Sequence, residues 1–178
     1  MKRIVIGMGM AGCNFISRNL KSRLLTENDV VAIDCDEAFL SVAKRYVKTM
    51  YYSDPTYIDE GILEELKNYD QILFVVGLGG RSGDFIISLI KELRDMNKTV
   101  IGSCIVPYRF EPDKKEKGAE QLEQIASLMK REALIIYESS LDSMTESLAL
   151  SRKDLFETID EIIIERLVGK LELYYHDN

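Results

Sequence analysis

Five nearly unbroken apolar runs set the limits on how this chain can fold. They are "RIVIG" (3–7), "DVVAID" (29–34), "QILFVVG" (71–77), "TVIGSCIVP" (99–107) and "ALIIYE" (133–138). Short runs without polar alternation suit strands buried on both faces. Between them the apolar spacing turns helical. Phe15, Ile16, Leu20 and Leu24 share one side of a helix expected over 12–25, and Phe85, Ile86, Leu89, Ile90 and Leu93 one side of a helix over 82–96. Further helices are expected at 36–45, opened by Asp36 as N-cap, and at 56–68, 114–131, 141–149 and 152–168, with a weaker strand at 46–52. Such alternation predicts an α/β domain, a Rossmann-like three-layer sandwich with a mostly parallel sheet between two layers of helices. No linker or repeat divides the 178 residues, so one domain is expected over 1–168, with a C-terminal tail at 169–178.

Composition narrows the function. At 46% hydrophobic and 30% charged residues, the chain reads as a folded globular protein. Its net charge of −7 argues against a nucleic-acid partner, whose phosphates attract basic surfaces. Cys13, Cys35 and Cys104 form no Cys-x-x-Cys pair, and His176 is the single histidine. Reduced thiols are expected, with neither a zinc site nor a Ser-His-Asp triad. The N-terminal apolar run is too short for a signal peptide, and no apolar run approaches the length of a membrane span. A cytoplasmic protein is the expectation.

In parallel α/β sheets, ligands bind beyond the carboxyl ends of the strands. Two glycine-rich turns fall there. "GMGMAGCN" (7–14) follows the first strand, and its Gly7, Gly9 and Gly12 spell G-x-G-x-x-G at a helix start. Glycines there permit a tight turn and let backbone amides approach a phosphate, aided by the partial positive charge of the helix N-terminus. Asp34 closes the second strand, about where a dinucleotide fold places its ribose-binding acid. That loop taken alone fits NAD. "GLGGRSGD" (77–84) changes the balance. A dinucleotide fold has no use for a second phosphate cradle, whereas a nucleoside polyphosphate can be gripped from two sides. Gly77, Gly79, Gly80 and Gly83 would let several amides point inward, with Ser82 donating a hydroxyl hydrogen bond and capping the next helix.

Several segments together resemble the tubulin/FtsZ superfamily over nearly all of 1–168. "IGMGMAGCN" is similar to its first loop, and "GGRSGDF" stands where it has GGGTG[ST]G. "AIDCDEAFL" resembles its "AVNTDAQAL", "VPYRFEPDKK" its "KPFNFEGKKR", and "LFETIDEIIIERL" its long central helix. The resemblance implies a domain of that topology that binds GTP or GDP, with or without Mg²⁺, and self-associates or pairs with an FtsZ-like partner in division or cytoskeletal work. Carried over by position, Gly9, Met10, Ala11, Gly12 and Asn14 would meet the phosphates and the base side. Gly79, Gly80, Arg81, Ser82 and Gly83 would cradle the phosphates, Glu111 would contact the ribose, Ser139 would stand beside base or ribose, and Asp154 would pair with the guanine edge.

The departures from that pattern shape the rest. Ala149 stands where the family stacks an aromatic on the base, and Lys153 where it has an Asn. Arg81 replaces a glycine, to touch a phosphate or turn to solvent. Asp84 replaces a Thr or Ser, and is expected to cap the helix rather than to meet phosphates through a cation. The loop after the third strand lacks the family's Gly/Ala run, and no NxDxxD loop follows the final helix; Glu172 and Asp177 do not reproduce its spacing. Slow or absent hydrolysis is the expectation. A nucleotide-free scaffold on the same fold and an NAD-binding protein remain the alternatives.

Overall fold

The computed structural model describes residues 1–108, 110–129, 133–137 and 152–176. The helix expected at 141–149, with Ser139, Ala149 and Asp177, lies outside the described residues. Each apolar run becomes a strand: β1 (Arg3–Met8), β2 (Asp29–Asp34), β4 (Gln71–Gly77), β5 (Thr99–Ile105) and β6 (Leu134–Tyr137), with the weaker β3 at Lys48–Tyr51. The connections are α1 (Gly9–Arg18), α2 (Arg23–Thr26), α3 (Glu37–Ala43), α4 (Glu60–Lys67), α5 (Arg81–Asp95), α6 (Lys115–Leu128) and α7 (Arg152–His176).

Among the described residues the sheet has the order β3-β2-β1-β4-β5-β6, and all its pairings are parallel. The chain starts mid-sheet, winds outward through β2 and β3, returns to place β4 beside β1, and winds out the other way. This is the doubly wound arrangement, and the reversal between β1 and β4 opens a crevice at their carboxyl ends. Gly7 lies opposite Val75, and Met8 opposite Val76. The two glycine turns, about 70 residues apart in sequence, therefore leave adjacent strands.

Successive strand residues point to opposite faces and build two cores. Ile4, Ile6, Phe74 and Val76 pack with Ile62 of α4, Phe85 and Leu89 of α5 and Ile125 of α6. Val5, Leu73, Val75 and Ile101 pack with Phe15 and Ile16 of α1 and with a stripe of α7, Leu155, Ile159, Ile163, Leu167 and Leu171. The stripe recurs every fourth residue, so one face of a long helix stays on the sheet. No helix among the described residues is long and apolar enough to cross a membrane.

The boundaries differ from the sequence expectation where polar side chains intervene. The helix expected over 12–25 starts at Gly9 and splits. Asn19 folds its side chain back onto the Phe15 carbonyl (2.8 Å), which closes α1, and Ser22 reopens helix as α2. α4 starts four residues late because Asp54 holds Thr56 in a turn and Asp59 caps the helix through Gly61 N (2.8 Å). Asp36 caps α3 as expected, accepting from Ala38 N (2.8 Å). α7 runs past 168 to His176, so most of the expected tail is helix, with Leu171 buried.

One close approach shows how tightly the centre is filled. Phe74 of β4 lies opposite Gly102 of β5, and its ring covers the glycine: a Cβ there would fall 2.0 Å from the ring tip. Gly102→Ala is expected to destabilise the protein by about 1–3 kcal/mol through overpacking, read as a lower midpoint in urea unfolding.

Candidate functional site

Two helices open toward the crevice without side-chain caps. α1 begins at Gly9 after Met8, and α5 begins at Arg81 after Gly80; neither N-cap residue makes a side-chain cap bond. The first amides of a helix have no intrahelical partner, and an uncapped end carries partial positive charge. The two ends touch. Gly9 has φ +65°, and a Cβ on it would lie 2.5 Å from Ser82 Oγ. Glycine at this position supplies both the left-handed turn and the room for the second loop. Gly7 and Gly12 let α1 approach the sheet, since a Cβ on Gly12 would sit 2.3 Å from the Val75 carbonyl.

A cavity of about 330 Å³ lies in front of these ends, floored by Met10, Ala11, Gly77 and Gly80. Its far wall is aromatic. Tyr108 stacks on Phe110 with centroids 5.0 Å apart, and Phe156 of α7 meets Tyr108 edge-on at 5.7 Å. Such pairs stiffen a wall beyond what burial supplies. A charged clamp sits beside it. Asp160, 2% exposed, takes Arg18 in two bonds, Nε to Oδ2 (2.6 Å) and Nη2 to Oδ1 (2.9 Å), and Asn19 Nδ2 in a third (2.8 Å). The bidentate geometry ties α1 to α7 and presents the Arg18 guanidinium to the cavity over Phe156. At the rim Lys114 Nζ donates to Glu111 Oε1 (2.7 Å), while Glu111 Oε2 accepts from Tyr108 N (3.3 Å).

Of the residues singled out from sequence, Met10, Ala11, Asn14, Gly77, Gly80, Ser82 and Glu111 line the cavity. Gly7, Gly9, Gly12, Gly79 and Gly83 form the supporting turns. Ser82 does not cap α5; its hydroxyl donates to the Gly77 carbonyl (3.2 Å). Arg81 turns from the cavity to the Ser53 carbonyl after β3. Asp84 caps nothing and accepts from Lys117 Nζ (2.7 Å) and Gln121 Nε2 (2.6 Å) of α6. Asp34 is not brought to the cavity. It is 4% exposed, and its Oδ1 accepts from the amides of Cys35 (2.7 Å) and Asp36 (3.2 Å), closing the β2–α3 turn. Burial pushes its carboxyl above the usual carboxylate range. Asp154 sits exposed in the first turn of α7 and does not line the cavity.

Sequence reasoning missed Arg18, Asp160, Phe156 and Gln121. Arg18 and Asp160 are 142 residues apart, and no spacing rule connects them. The three cysteines are free. Burial pushes the thiols of Cys13 and Cys104 up to about 12, with the neighbouring Asp34 charge adding to the Cys13 shift.

The fold and site define a doubly wound α/β protein with a cavity at the switch point, built from two glycine turns. No family model matches the chain. It is 25% identical over 188 residues to cell division protein FtsZ 1 of Pyrococcus horikoshii, covering 95% of this chain and 50% of that protein. It is 26% identical over 187 residues to cell division protein FtsZ 2 of Methanocaldococcus jannaschii, covering 95% and 48%. The chain thus spans about half the length of the curated relatives it matches. Among solved structures, TubZ of Clostridium botulinum phage c-st superposes with a TM-score of 0.68 at 13% identity, over 92% of this chain and 59% of that one. CetZ1 of Haloferax volcanii, a GDP-bound monomer, superposes at 0.67 with 18% identity, over 93% and 58%. In sequence the chain is similar to the FtsZ proteins, and in fold to TubZ and CetZ1.

Two outcomes follow from this geometry. Asp160→Ala removes three hydrogen bonds, but Arg18 is about one-third exposed to water, and the change is expected to cost about 1.5–3 kcal/mol, measured by denaturant unfolding. In the native protein a thiol reagent at pH 8 is expected to label the half-buried Cys35 and to spare Cys13 and Cys104 until urea is added, read by mass spectrometry of peptides.

Proposed function

We propose that the cavity binds a guanine nucleotide, its phosphates on the uncapped amides of α1 and α5 and its base toward the aromatic wall. The observation that carries this reading is the meeting of two uncapped helix N-termini at one cavity. Each is a ready anion site, and together they suit an extended polyphosphate better than a single phosphate. Arg18 and Lys114 bring donor cations to the cavity, each held there by an acid, Asp160 and Glu111. The volume falls within the range of roughly 300–1,000 Å³ usual for small-molecule sites. The choice of guanine rests on kinship with the FtsZ proteins and on the GDP in CetZ1.

The residues would act by position. The α1 and α5 turns would hold the phosphates, Glu111 would meet the ribose, and Tyr108, Phe110 and Phe156 would enclose the base. NAD is disfavoured by Asp34, which does not line the cavity and whose Oδ1 holds the turn after β2. Among the described residues no group of three or more His, Cys, Asp or Glu side chains is arranged for a metal. A Mg²⁺ accompanying the nucleotide would take its ligands from phosphate and water oxygens. The acids described near the site are engaged: Glu111 by Lys114, Asp160 by Arg18, and Asp84 by Lys117. With these acids committed and not positioned to orient water, this chain alone would hydrolyse GTP slowly. Assembly with itself or an FtsZ-like partner, in division or cytoskeletal work, is the cellular role we propose.

Titration with fluorescent GDP is expected to saturate below millimolar concentration, and no binding at that level would sink the reading. Gly80 has ordinary extended backbone (φ −125°), and a Cβ on it meets nothing within 4 Å. Gly80→Leu is therefore expected to fold with nearly unchanged stability. Its side chain would stand in front of the α5 amides and weaken GDP by more than about tenfold, or roughly 1.4 kcal/mol.

A further inference from the structure

We infer that Gln121 of α6 is the positioning residue of the second glycine turn, and that the Gly79 amide belongs to this latch and not to the phosphate cradle. The inference rests on the phosphate-binding reading above and says which part of the turn remains free for the ligand.

Gln121 is 2% exposed although polar. Its one carboxamide meets the turn at three points. Oε1 accepts from Gly79 N (2.7 Å), while Nε2 donates to the Gly80 carbonyl (2.9 Å) and to Asp84 Oδ1 (2.6 Å). The partners fix the orientation of the amide, because a backbone N–H needs an acceptor and a carbonyl and a carboxylate need donors. Among uncharged side chains of this length, only glutamine offers both. Lys117, one turn earlier on α6, donates to the other oxygen of Asp84 (2.7 Å) and balances its charge.

The turn is shaped around this amide. Gly79 has φ +88°, and the bonds to Gln121 flank the peptide that joins it to Gly80. Gly83 leaves the space that Gln121 fills, since a Cβ there would lie 2.1 Å from Oε1. A buried hydrogen-bond network that satisfies each of these groups holds one geometry. With Gly79 N spent on Gln121, the donors left for an anion are the amides that open α5, from Gly80 onward. The strap is Asp84, one of the residues that depart from the tubulin/FtsZ pattern, and it acts through α6 instead of touching a ligand.

The test uses the full chain in four forms: wild type, Q121M, Q121E and Q121E/D84N. Amide exchange at Gly79 is read without nucleotide. It is expected to be slow in the wild type and faster by at least about tenfold in Q121M. It is expected to stay slow in Q121E/D84N, where the carboxylate introduced on α6 accepts both from Gly79 N and from the carboxamide introduced on α5. Exchange at the solvent rate in the wild type would overturn the inference and leave the nucleotide reading standing. GDP affinity is then compared. Q121M and Q121E are expected to lose about tenfold, and Q121E/D84N, in which the Gly79 and α5 bonds return but the Gly80 carbonyl has lost its donor, to recover part of that loss. The variant I125V, trimmed in the core on the same helix, supplies the measure of plain destabilisation and is expected to keep wild-type affinity. Unchanged affinity in Q121M, equal loss in I125V, or no recovery in the double variant would each overturn the inference. A wild type that binds no nucleotide would overturn the proposed function and this inference together.

Discussion

The contact between Gly9 and Ser82 is the constraint on which the rest of the site depends. β1 and β4 are neighbours in the sheet, so the turns that leave them must share one small volume. A side chain on Gly9 would strike Ser82, and the two helices would separate. Because glycine stands there, α1 and α5 bring their uncapped ends together at a single crevice. Helix ends that would normally be satisfied by a capping side chain are left open at the place where a ligand can satisfy them.

Two polar clamps hold this arrangement from outside. The first ties α1 to α7 through Arg18, Asn19 and Asp160 and forms the flank of the aromatic wall. The second ties α5 to α6 through Asp84, Lys117 and Gln121. Each centres on a side chain nearly excluded from water, Asp160 in one and Gln121 in the other, where an unmade hydrogen bond is costly. The second glycine turn is held directly by Gln121 of α6, and the helix that follows the first turn is held at its far end by Asp160 of α7. A preformed cavity needs this, because glycine loses more conformational freedom on ordering than other residues.

Much of the fold was legible. Unbroken apolar runs predicted the parallel strands, and the periodicity of 82–96 and 152–168 predicted α5 and most of α7. The misses have local causes. Asn19 bonds back to the α1 backbone and breaks the helix expected to reach 25. Asp54 and Asp59 delay α4. The chain pattern of 169–176 looked like a tail, yet Leu171 continues the stripe that α7 lays on the sheet. At the site, the glycine turns were legible because their spacing is local, whereas Glu111, brought in by the resemblance alone, lies at the cavity rim beside Lys114. The partners of Asp34 and Asp84 were not legible, and Arg81 stayed open between phosphate and solvent, because each has several partners within reach and neighbouring elements decide among them.

The sequence by itself determined the strand–helix alternation, the two glycine turns and their place after strands one and four. These follow from hydrophobic period and from the backbone freedom of glycine, which are properties of short segments. The tertiary structure alone decided that the two turns face one cavity, that Arg81 and Asp34 turn away from it, and that Arg18 meets Asp160 across 142 residues. Those outcomes depend on which strands pair and which buried charges find partners, and both are settled only when distant segments are packed against each other.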